Sequence, residues 1–521
     1  MACATASLSL HCSPSAPSFL GRAARRRGVR LGHALVTPSA AAPRPRLRPS
    51  TSTRAASTGA TRLQPATWLL QAAAGWAGPS QLDELVGLLV PREALLRARY
   101  ASAMGPRVAW FMGQALYATS TFYEVDVGAV SGVVAAALLQ DTSVEGGLRL
   151  LGLDVAPTRN ARGDSLEEEE RKQVGEFWRV NLTALVEVLQ SDLRNIEAGI
   201  YPIPYDLRLS YAQQWDPRSV LDISSKYMQD QELVVERRRQ GQASQARELL
   251  SQEDLAGRDY PAYYVRNFHY QSDGWLSMAS AHLYDYQVET LFLGVADAMR
   301  RQGLVPLATA VKELQTHRKD SDGNPSIKLL DVASGTGRFL SFLLQAHPEI
   351  DATALDLSKF YLQKAKEQCR EHTGKGGKLA LVEANAEDMP FEDCSFELIT
   401  NVYLFHELPT EAQRNTAREF GRVLMPGGTA VVIDSIQEGD VMFGERMLKA
   451  FPEFNHEPYY EAYTKTDLGE LFKQAAGLEL VETSTHWLTK VMVFKKPEDP
   501  SRTPSAGDVD VCNDTNMAST A

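Results

Sequence analysis

Acidic residues and lysine are absent from the first 82 residues of this 521-residue chain. The same segment holds ten arginines among many Ser, Ala and Pro residues. It lacks the apolar core of about 7–15 residues that a secretory signal needs, and its composition is typical of an organelle transit peptide. We therefore expect residues 1–62 to be a disordered plastid transit peptide. Mitochondrial import and a plain disordered basic tail are the alternatives.

Long hydrophobic runs and clustered cysteines are also missing. The longest apolar stretch, residues 127–139, has 13 residues, which is short of the ~20 residues needed to cross a bilayer. We expect a buried helix there and no transmembrane segment, which leaves peripheral membrane contact open. Outside the leader and the tail, the cysteines are Cys369 and Cys394. Their spacing matches no metal-binding motif, so no metal site is predicted.

Basic side chains are scarce in the rest of the chain. Once the ten leading arginines are set aside, 44 Lys and Arg residues remain against 65 Asp and Glu residues, a net charge of −21. Enzymes that act on nucleic acids usually neutralise phosphates with clustered basic residues, and so acidic a protein would repel a polyanion. We therefore expect no nucleic-acid partner.

The middle of the chain carries a nucleotide-binding pattern. Residues 327–332 have the composition of a buried strand, and Gly335 and Gly337 follow them just before a helix start. Asp356 comes 19 residues after Gly337, at the end of the next predicted strand. Such glycines let backbone N–H groups approach a ligand, and such an acid can accept two hydrogen bonds from ribose hydroxyls. The pattern indicates an adenosine-containing cofactor.

The residues around the two glycines narrow the choice of cofactor. A nicotinamide fingerprint would place a small residue three positions after the second glycine, where this chain has Leu340. The run Asp331-x-Ala333-x-Gly335-x-Gly337 instead resembles motif I of the class I S-adenosylmethionine-dependent methyltransferases. That motif has the pattern acid-x-Gly-x-Gly-x-Gly, so Ala333 is a departure that keeps a small side chain.

Three further segments resemble the same family in order and spacing. Asp356 resembles its ribose-binding acid, and residues 385–391 resemble the loop that reads the adenine edge, with Asn385 in place of the usual acid. Residues 396–408 and 418–428 resemble its fourth strand and the turn into its fifth. The resemblance covers about residues 325–435, and the subgroup it favours includes the ubiquinone and menaquinone C-methyltransferases.

The resemblance implies that S-adenosylmethionine binds at the carboxyl ends of the first strands. Asp356 could instead cap the helix that starts near Ser358, and the alternative role for Asn385 is to shape a turn without contacting the cofactor. The predicted cofactor-binding residues are Asp331, Ala333, Ser334, Gly335, Thr336, Gly337, Asp356, Leu357, Asn385, Ala386 and Asn401.

The predicted fold is α/β, with two domains. By the resemblance, residues 301–496 form a Rossmann-like, seven-stranded methyltransferase sheet with an antiparallel last strand. Residues 64–300 are expected to form a mostly α-helical domain, in which residues 258–300 are a lid segment. Within it, apolar residues recur at helical spacing from Val174 to Ile196 after N-cap chemistry at residues 164–165, and the charged residues 232–253 predict another helix. Residues 497–521 are expected to be a disordered tail.

Aromatic and hydrogen-bonding side chains are concentrated in two segments, residues 260–284 and residues 454–463. In the family, residues before motif I commonly form a lid over the cofactor, and insertions between the fifth and sixth strands set acceptor choice. We therefore expect both segments near the substrate, with an aromatic interface between domains as the alternative. The predicted substrate residues are Tyr264, His269, Trp275, Tyr284, His456, Tyr459 and Tyr460.

His406 is the candidate catalytic base, because it falls at the carboxyl end of the fourth strand, where ligands sit in such sheets. The alternative is a histidine that only forms local hydrogen bonds. The expected function is methyl transfer to a small or amphipathic organic acceptor in the plastid, in the stroma or at a membrane surface. A prenyl quinol, a phenol or a lipid precursor is favoured by family analogy. A plastid protein methyltransferase and a non-catalytic cofactor-binding scaffold are alternatives. Carbon, oxygen and nitrogen acceptors stay open, as does the oligomeric state.

Overall fold

The predicted transit peptide and nearly all of the predicted tail lie outside the described residues. Within the described part of the chain, no helix combines the length and the apolarity that a membrane crossing requires. The computed structural model describes residues 91–118, 127–152, 165, 167–207, 217–240, 260–265, 274–317, 327–372, 378–441, 448–449, 451–452 and 456–498.

Helices form the part of the chain that precedes the sheet, as the sequence predicts. Their bounds are α1 Arg92–Ala118, α2 Val127–Gln140, α3 Val144–Leu151, α4 Glu168–Glu197, α5 Pro217–Gln240, α6 Met278–Leu291, α7 Ala296–Arg301 and α8 Leu304–His317.

The two most distinctive helical patterns of the sequence are confirmed. The apolar run forms α2, and the long amphipathic pattern forms α4, whose first turn carries Glu168, Glu169 and Glu170. Acidic side chains there interact favourably with the helix dipole. The predicted cap is wrong, because Glu167 is the N-cap residue and its side chain makes no cap hydrogen bond. Residues 232–240 of the predicted charged helix form the last part of α5, and residues 241–259 lie outside the described residues.

Seven strands form one sheet in the order β3-β2-β1-β4-β5-β7-β6. The pairs from β3 to β5 are parallel, and β7 is antiparallel to both β5 and β6. This is the methyltransferase-like sheet predicted from the sequence. The strands are β1 Lys328–Val332, β2 Asp351–Asp356, β3 Leu379–Glu383, β4 Phe396–Val402, β5 Leu424–Ser435, β6 Glu479–His486 and β7 Thr489–Lys495.

Helices that lie between the strands in sequence pack against the sheet. Because β1 to β5 are joined by crossovers, the carboxyl ends of the parallel strands lie along one edge of the sheet, where ligands bind in such folds. The helices are α9 Arg338–Ala346, α10 Lys359–Cys369, α11 Thr410–Val423, α12 Tyr460–Thr464 and α13 Leu468–Ala476.

One hydrophobic core joins the helical region to the sheet. It contains Leu189 of α4 and Met299 of α7 together with Leu329 of β1, Leu340 of α9 and Val431 of β5, all buried. Buried side chains from both sides of residue 300 therefore meet in the same core. The domain boundary predicted between residues 300 and 301 stays a prediction. The shared core packs α7 against the edge of the sheet where the strands end.

Candidate functional site

The loop after β1 has a backbone that suits close approach to a ligand. Ala333, Gly335 and Gly337 all have positive φ, at 53°, 55° and 72°. A Cβ atom at Gly337 would lie 2.8 Å from the Cβ of Ala365, so that position needs glycine for space as well as for its backbone conformation. The Ser334 N–H donates to the carbonyl of Leu355 at 2.9 Å, which ties the loop to the end of β2.

Asp356 closes the same loop from the end of β2. Its Oδ2 accepts a hydrogen bond from the Gly335 N–H at 2.8 Å, and its Oδ1 accepts one from the Ser358 N–H at 2.7 Å. Burial raises the pKa of this carboxyl to about 6, against the opposing effect of the backbone donors. Ser358 caps α10, since its side chain accepts from the Tyr361 N–H. The two backbone hydrogen bonds therefore hold the Asp356 carboxylate beside the glycine loop.

A cavity of about 780 Å³, including its open mouth, lies at the ends of these strands. The structure brings most of the predicted cofactor and lid residues together here. The predicted residues that line it are Ala333, Gly335, Asp356, Leu357, Asn385, Ala386, Tyr264, Trp275 and Tyr284.

Aromatic rings form one wall of this larger cavity. Trp275, Tyr284 and Tyr361 pack edge to face in pairs, with centroids 5.5–5.8 Å apart. The Tyr263 hydroxyl donates to Glu387 Oε1 at 2.6 Å, which links the predicted lid to the loop after β3. These contacts hold the aromatic wall in place.

The loop after β3 supports both readings of Asn385. Its Oδ1 accepts from the Glu387 N–H at 3.0 Å, so the residue shapes a turn, and it also lines the larger cavity. Ala384 and Ala386 on either side have small side chains that leave an apolar slot. The loop predicted from the sequence therefore lies at the larger cavity.

A smaller cavity of about 380 Å³ adjoins the first one and shares Tyr284, Ala333, Gly335, Val402 and Tyr403 with it. It is lined also by the predicted residues Asp331, Ser334 and Thr336. Asp331 Oδ1 accepts from the Thr400 hydroxyl at 2.7 Å, and burial raises the pKa of its carboxyl to about 7. The Thr336 hydroxyl donates to Asp285 Oδ1 at 2.7 Å.

Two predicted cofactor residues lie behind the loop and line neither cavity. Gly337 is the N-cap of α9, and its N–H donates to the Ser334 carbonyl. The Asn401 side-chain amide donates to the Val332 carbonyl at 2.8 Å, which joins β4 to β1. Both residues act on the shape of the loop rather than at its surface.

His406 lies behind the cavity wall in the turn after β4. Its Nδ1 is 2.6 Å from Asp434 Oδ1, and its Nε2 is 3.8 Å from Glu407 Oε1 and 3.9 Å from Glu457 Oε2. Burial lowers the pKa of this ring, but the carboxylates of Asp434, Glu457 and Glu407 outweigh that effect and raise it to about 10. An imidazole with this pKa holds its proton at neutral pH. Its role as a base stays a prediction.

Glu407, which sequence reasoning missed, is the acid that reaches the larger cavity from this turn. Burial raises the pKa of its carboxyl to about 7, although the His406 imidazolium opposes the rise. A carboxyl with a pKa near 7 can both accept and release a proton at physiological pH. The sequence feature that could have indicated Glu407 was its position next to His406, just after a buried strand.

The second aromatic segment is placed near the site but does not line either cavity. The Tyr460 hydroxyl is 2.6 Å from Ser435 Oγ, and its ring is 5.8 Å from that of His406. Tyr459 packs against the group that contains Trp275, and His456 lies in a turn with φ 51°. His269 lies outside the described residues. The cavity residues that sequence reasoning missed include Tyr263, Arg300, Arg338, Tyr361, Tyr403 and Glu407.

The residues of the larger cavity fit an adenosyl group. An ionised carboxylate has about four acceptor positions, so Asp356 can accept from ribose hydroxyls in addition to its two backbone donors. The small side chains after β3 and the side chain of Leu357 leave room for a flat base. The described residues contain no group of three or more His, Cys, Asp or Glu side chains arranged to hold a metal ion.

The middle of the chain is similar to known methyltransferases. A family model described as a methyltransferase domain matches residues 329–428. The ubiquinone/menaquinone biosynthesis C-methyltransferase of Bartonella tribocorum is 37% identical over 108 residues, which are 20% of this chain and 40% of the relative. The demethylmenaquinone methyltransferase of Chlorobaculum tepidum is 32% identical over 154 residues, which are 30% of this chain and 55% of the relative. The chain thus spans less than two thirds of either relative.

Solved structures of methyltransferases are similar over about a third of the chain. An S-adenosylmethionine-dependent methyltransferase from Aquifex aeolicus has 20% identity and a TM-score of 0.26, covering 36% of this chain and 88% of its own. The magnesium protoporphyrin IX methyltransferase of Synechocystis, solved with bound S-adenosylhomocysteine, has 13% identity and a TM-score of 0.29, covering 38% and 83%. The family match, the strand order and the glycine loop agree with one another. Residues 329–428 therefore match a methyltransferase domain, and the strands there form a sheet of the class I methyltransferase type.

Proposed function

We propose that this chain transfers a methyl group from S-adenosylmethionine to a small or amphipathic organic acceptor, with a prenylated quinol or phenol as the favoured class. The observation that carries the proposal is the placement of Asp356 and the glycine loop at a cavity walled by aromatic rings. The two relatives reported above are named as a ubiquinone/menaquinone biosynthesis C-methyltransferase and a demethylmenaquinone methyltransferase. These names support this acceptor class.

Each part of the site has a role in this function. Asp356 would accept hydrogen bonds from the ribose, and Asn385 and Leu357 would hold the adenine. When bound, S-adenosylmethionine supplies an electrophilic methyl group. The chain must then hold the acceptor in line with that group, about 3–3.5 Å away, and exclude water. Trp275 and Tyr284 provide the apolar wall that does so.

A hydroxylated acceptor gains a methyl group and must lose a proton. Glu407 lines the larger cavity and is placed to receive that proton, while the neighbouring His406 imidazolium favours its ionised form. The resulting carboxylic acid returns the proton to solvent after the product leaves. We therefore propose Glu407 as the base in place of His406, whose imidazolium favours the ionised form of the Glu407 carboxyl.

The lining of the larger cavity favours a neutral aromatic acceptor. Among the described residues, its walls contain the carboxyls of Asp356 and Glu407 but no Lys, Arg or His side chain. An anionic acceptor would be repelled there, whereas a quinol ring can pack edge to face or offset against the tyrosines. We propose plastid location from the acid-free, arginine-rich leader alone.

The test is methyl transfer by the full-length chain. We expect label from methyl-labelled S-adenosylmethionine to enter a prenylated 1,4-hydroquinone, and at limiting S-adenosylmethionine we expect Asp356→Asn to lower the rate of transfer by about 10- to 100-fold. Asp351→Asn, at the opposite end of β2, is the matched control and should be active.

The same protein is then given fractionated plastid extract. Label in the lipid fraction supports the proposal, and label in protein supports the protein methyltransferase. Binding of the donor without transfer to any fraction would leave the non-catalytic scaffold.

A further inference from the structure

A second buried acid lies behind the wall of the larger cavity. Glu457 belongs to the turn before α12, outside the family match, and lines neither of the two cavities. Its Oε2 is 3.9 Å from His406 Nε2, and Glu407 Oε1 is 3.8 Å from the same nitrogen. The proposed reaction gives Glu457 no task, although burying a carboxyl is costly.

One imidazole nitrogen faces two carboxyls. The other ring nitrogen of His406 is taken, because its Nδ1 lies 2.6 Å from Asp434 Oδ1. Asp434 is itself fixed, since its Oδ2 accepts from the Phe405 N–H at 2.8 Å. The ring therefore keeps its orientation, and its Nε2–H points to the space between Glu407 and Glu457.

Burial decides which of the two acids keeps a proton. The Glu457 side chain is fully buried, whereas that of Glu407 is 14% exposed and lines the larger cavity. Two neighbouring carboxylates repel each other, so one of them holds its proton, and the charge stays where water is nearer. Burial, aided by Glu407 and Asp434, raises the pKa of Glu457 to about 8, although the His406 imidazolium opposes the rise.

The other groups around this cluster are acidic or uncharged. Asp434 approaches it from β5, and the charge of Asp356 on β2 also acts on Glu407. Burial raises the pKa of the three phenols that surround His406, so they are neutral at physiological pH. Their ring centroids are 5.8–6.2 Å from that of the imidazole; the residues are Tyr403, Tyr460 and Tyr463. Ionisation of Glu457 would therefore add negative charge to a site that already holds several acids.

We propose that Glu457 is a positioning residue that keeps a proton and thereby leaves the His406 Nε2–H to Glu407. This rests on the proposed function, in which Glu407 is the base. An ionised Glu457 would compete with Glu407 for that N–H. It would also place a further negative charge behind an acceptor that is losing its own proton. Turnover therefore falls at the alkaline pH where Glu457 ionises.

The proton on Glu457 can be tested by stability alone, without donor or acceptor. Folding raises the pKa of this carboxyl above its ordinary value, so the stability that the proton contributes is lost as pH rises toward about 8. Glu457→Gln has the shape of the protonated acid and cannot ionise. Its midpoint of urea unfolding should therefore rise relative to that of the wild type between about pH 6 and about pH 9.

A charged Glu457 paired with His406 would give a different result. The variant would then lose a buried ion pair and would be less stable than the wild type by the same amount at both pH values, which would overturn the proposal. Glu461→Gln, an exposed position on α12, is the matched control and should follow the wild-type midpoint. Glu457→Met, which cannot ionise either, serves the same comparison if Glu457→Gln does not fold.

The pH dependence of methyl transfer tests the positioning role. With a prenylated 1,4-hydroquinone as acceptor, wild-type turnover should rise around pH 7 and fall around pH 8, as Glu407 and then Glu457 ionise. Glu457→Gln should keep the rise and lose the fall. A merely structural role would lower turnover equally at every pH and would overturn the proposal. Failure of the wild type to methylate any acceptor would refute the proposed function, whereas the stability test of Glu457 would keep its meaning.

Discussion

Replacement of Asp356 by Asn is the most direct test of the cofactor site. The change keeps the size of the side chain but removes its charge and one of its two acceptor oxygens. In the structure both oxygens are in use, toward the Gly335 and Ser358 N–H groups at 2.8 and 2.7 Å. One of these buried N–H groups would lose its partner, which costs about 1–3 kcal/mol of the free energy of unfolding.

The loss of ligand affinity can be set out in the same way. Hydrogen bonds to a charged group contribute about 1.5–3 kcal/mol each, so the loss of one from the ribose to the carboxylate weakens binding by about 10- to 100-fold. Calorimetry with S-adenosylhomocysteine measures this, and urea unfolding measures the stability. Asp351→Asn is the matched control, because Asp351 Oδ1 accepts from the Lys378 N–H at 3.0 Å at the far end of β2. Wild-type affinity in Asp356→Asn, or an equal loss in both variants, would refute the reasoning.

Three further predictions follow from the same geometry. Gly152→Ala, at φ 64° with open space around it, should cost about 1–2 kcal/mol in urea unfolding. Gly337→Ala should cost more, because its Cβ would also meet a side chain of α10 2.8 Å away, and equal costs would contradict the close packing. The affinity for S-adenosylhomocysteine should fall as pH drops through about 6, where the Asp356 carboxylate gains a proton, and titration calorimetry of Asp356→Asn should show no such fall. Glu407→Gln should lower kcat by about 100-fold or more and should remove the rise in activity expected around pH 7. The exposed Glu411→Gln should keep the wild-type kcat and the wild-type pH profile. An unchanged pH profile in Glu407→Gln would exclude Glu407 as the base.

The local parts of the site could be predicted from the sequence. Gly335 and Gly337 follow a buried strand, and Asp356 ends the next one, so their roles depend on short stretches of backbone whose conformation is set by neighbouring residues. The long helix from Glu168 to Glu197 was predictable for the same reason, since a single apolar face repeats along it. The end of the helix was well placed, but its cap was not, because several acidic and polar residues compete for that position.

The sequence by itself determined the glycine loop and the acid that ends the next strand, because these follow from the strand pattern and from the backbone freedom of glycine, whereas the seven-stranded sheet was expected from the family resemblance. The tertiary structure decided what meets that loop. Arg300 reaches it only because α7 packs against the sheet, and His406 holds a proton only because β5 brings Asp434 to within 2.6 Å. Charge and pKa depend on burial and on distances between residues far apart in the chain, and no local pattern records those distances.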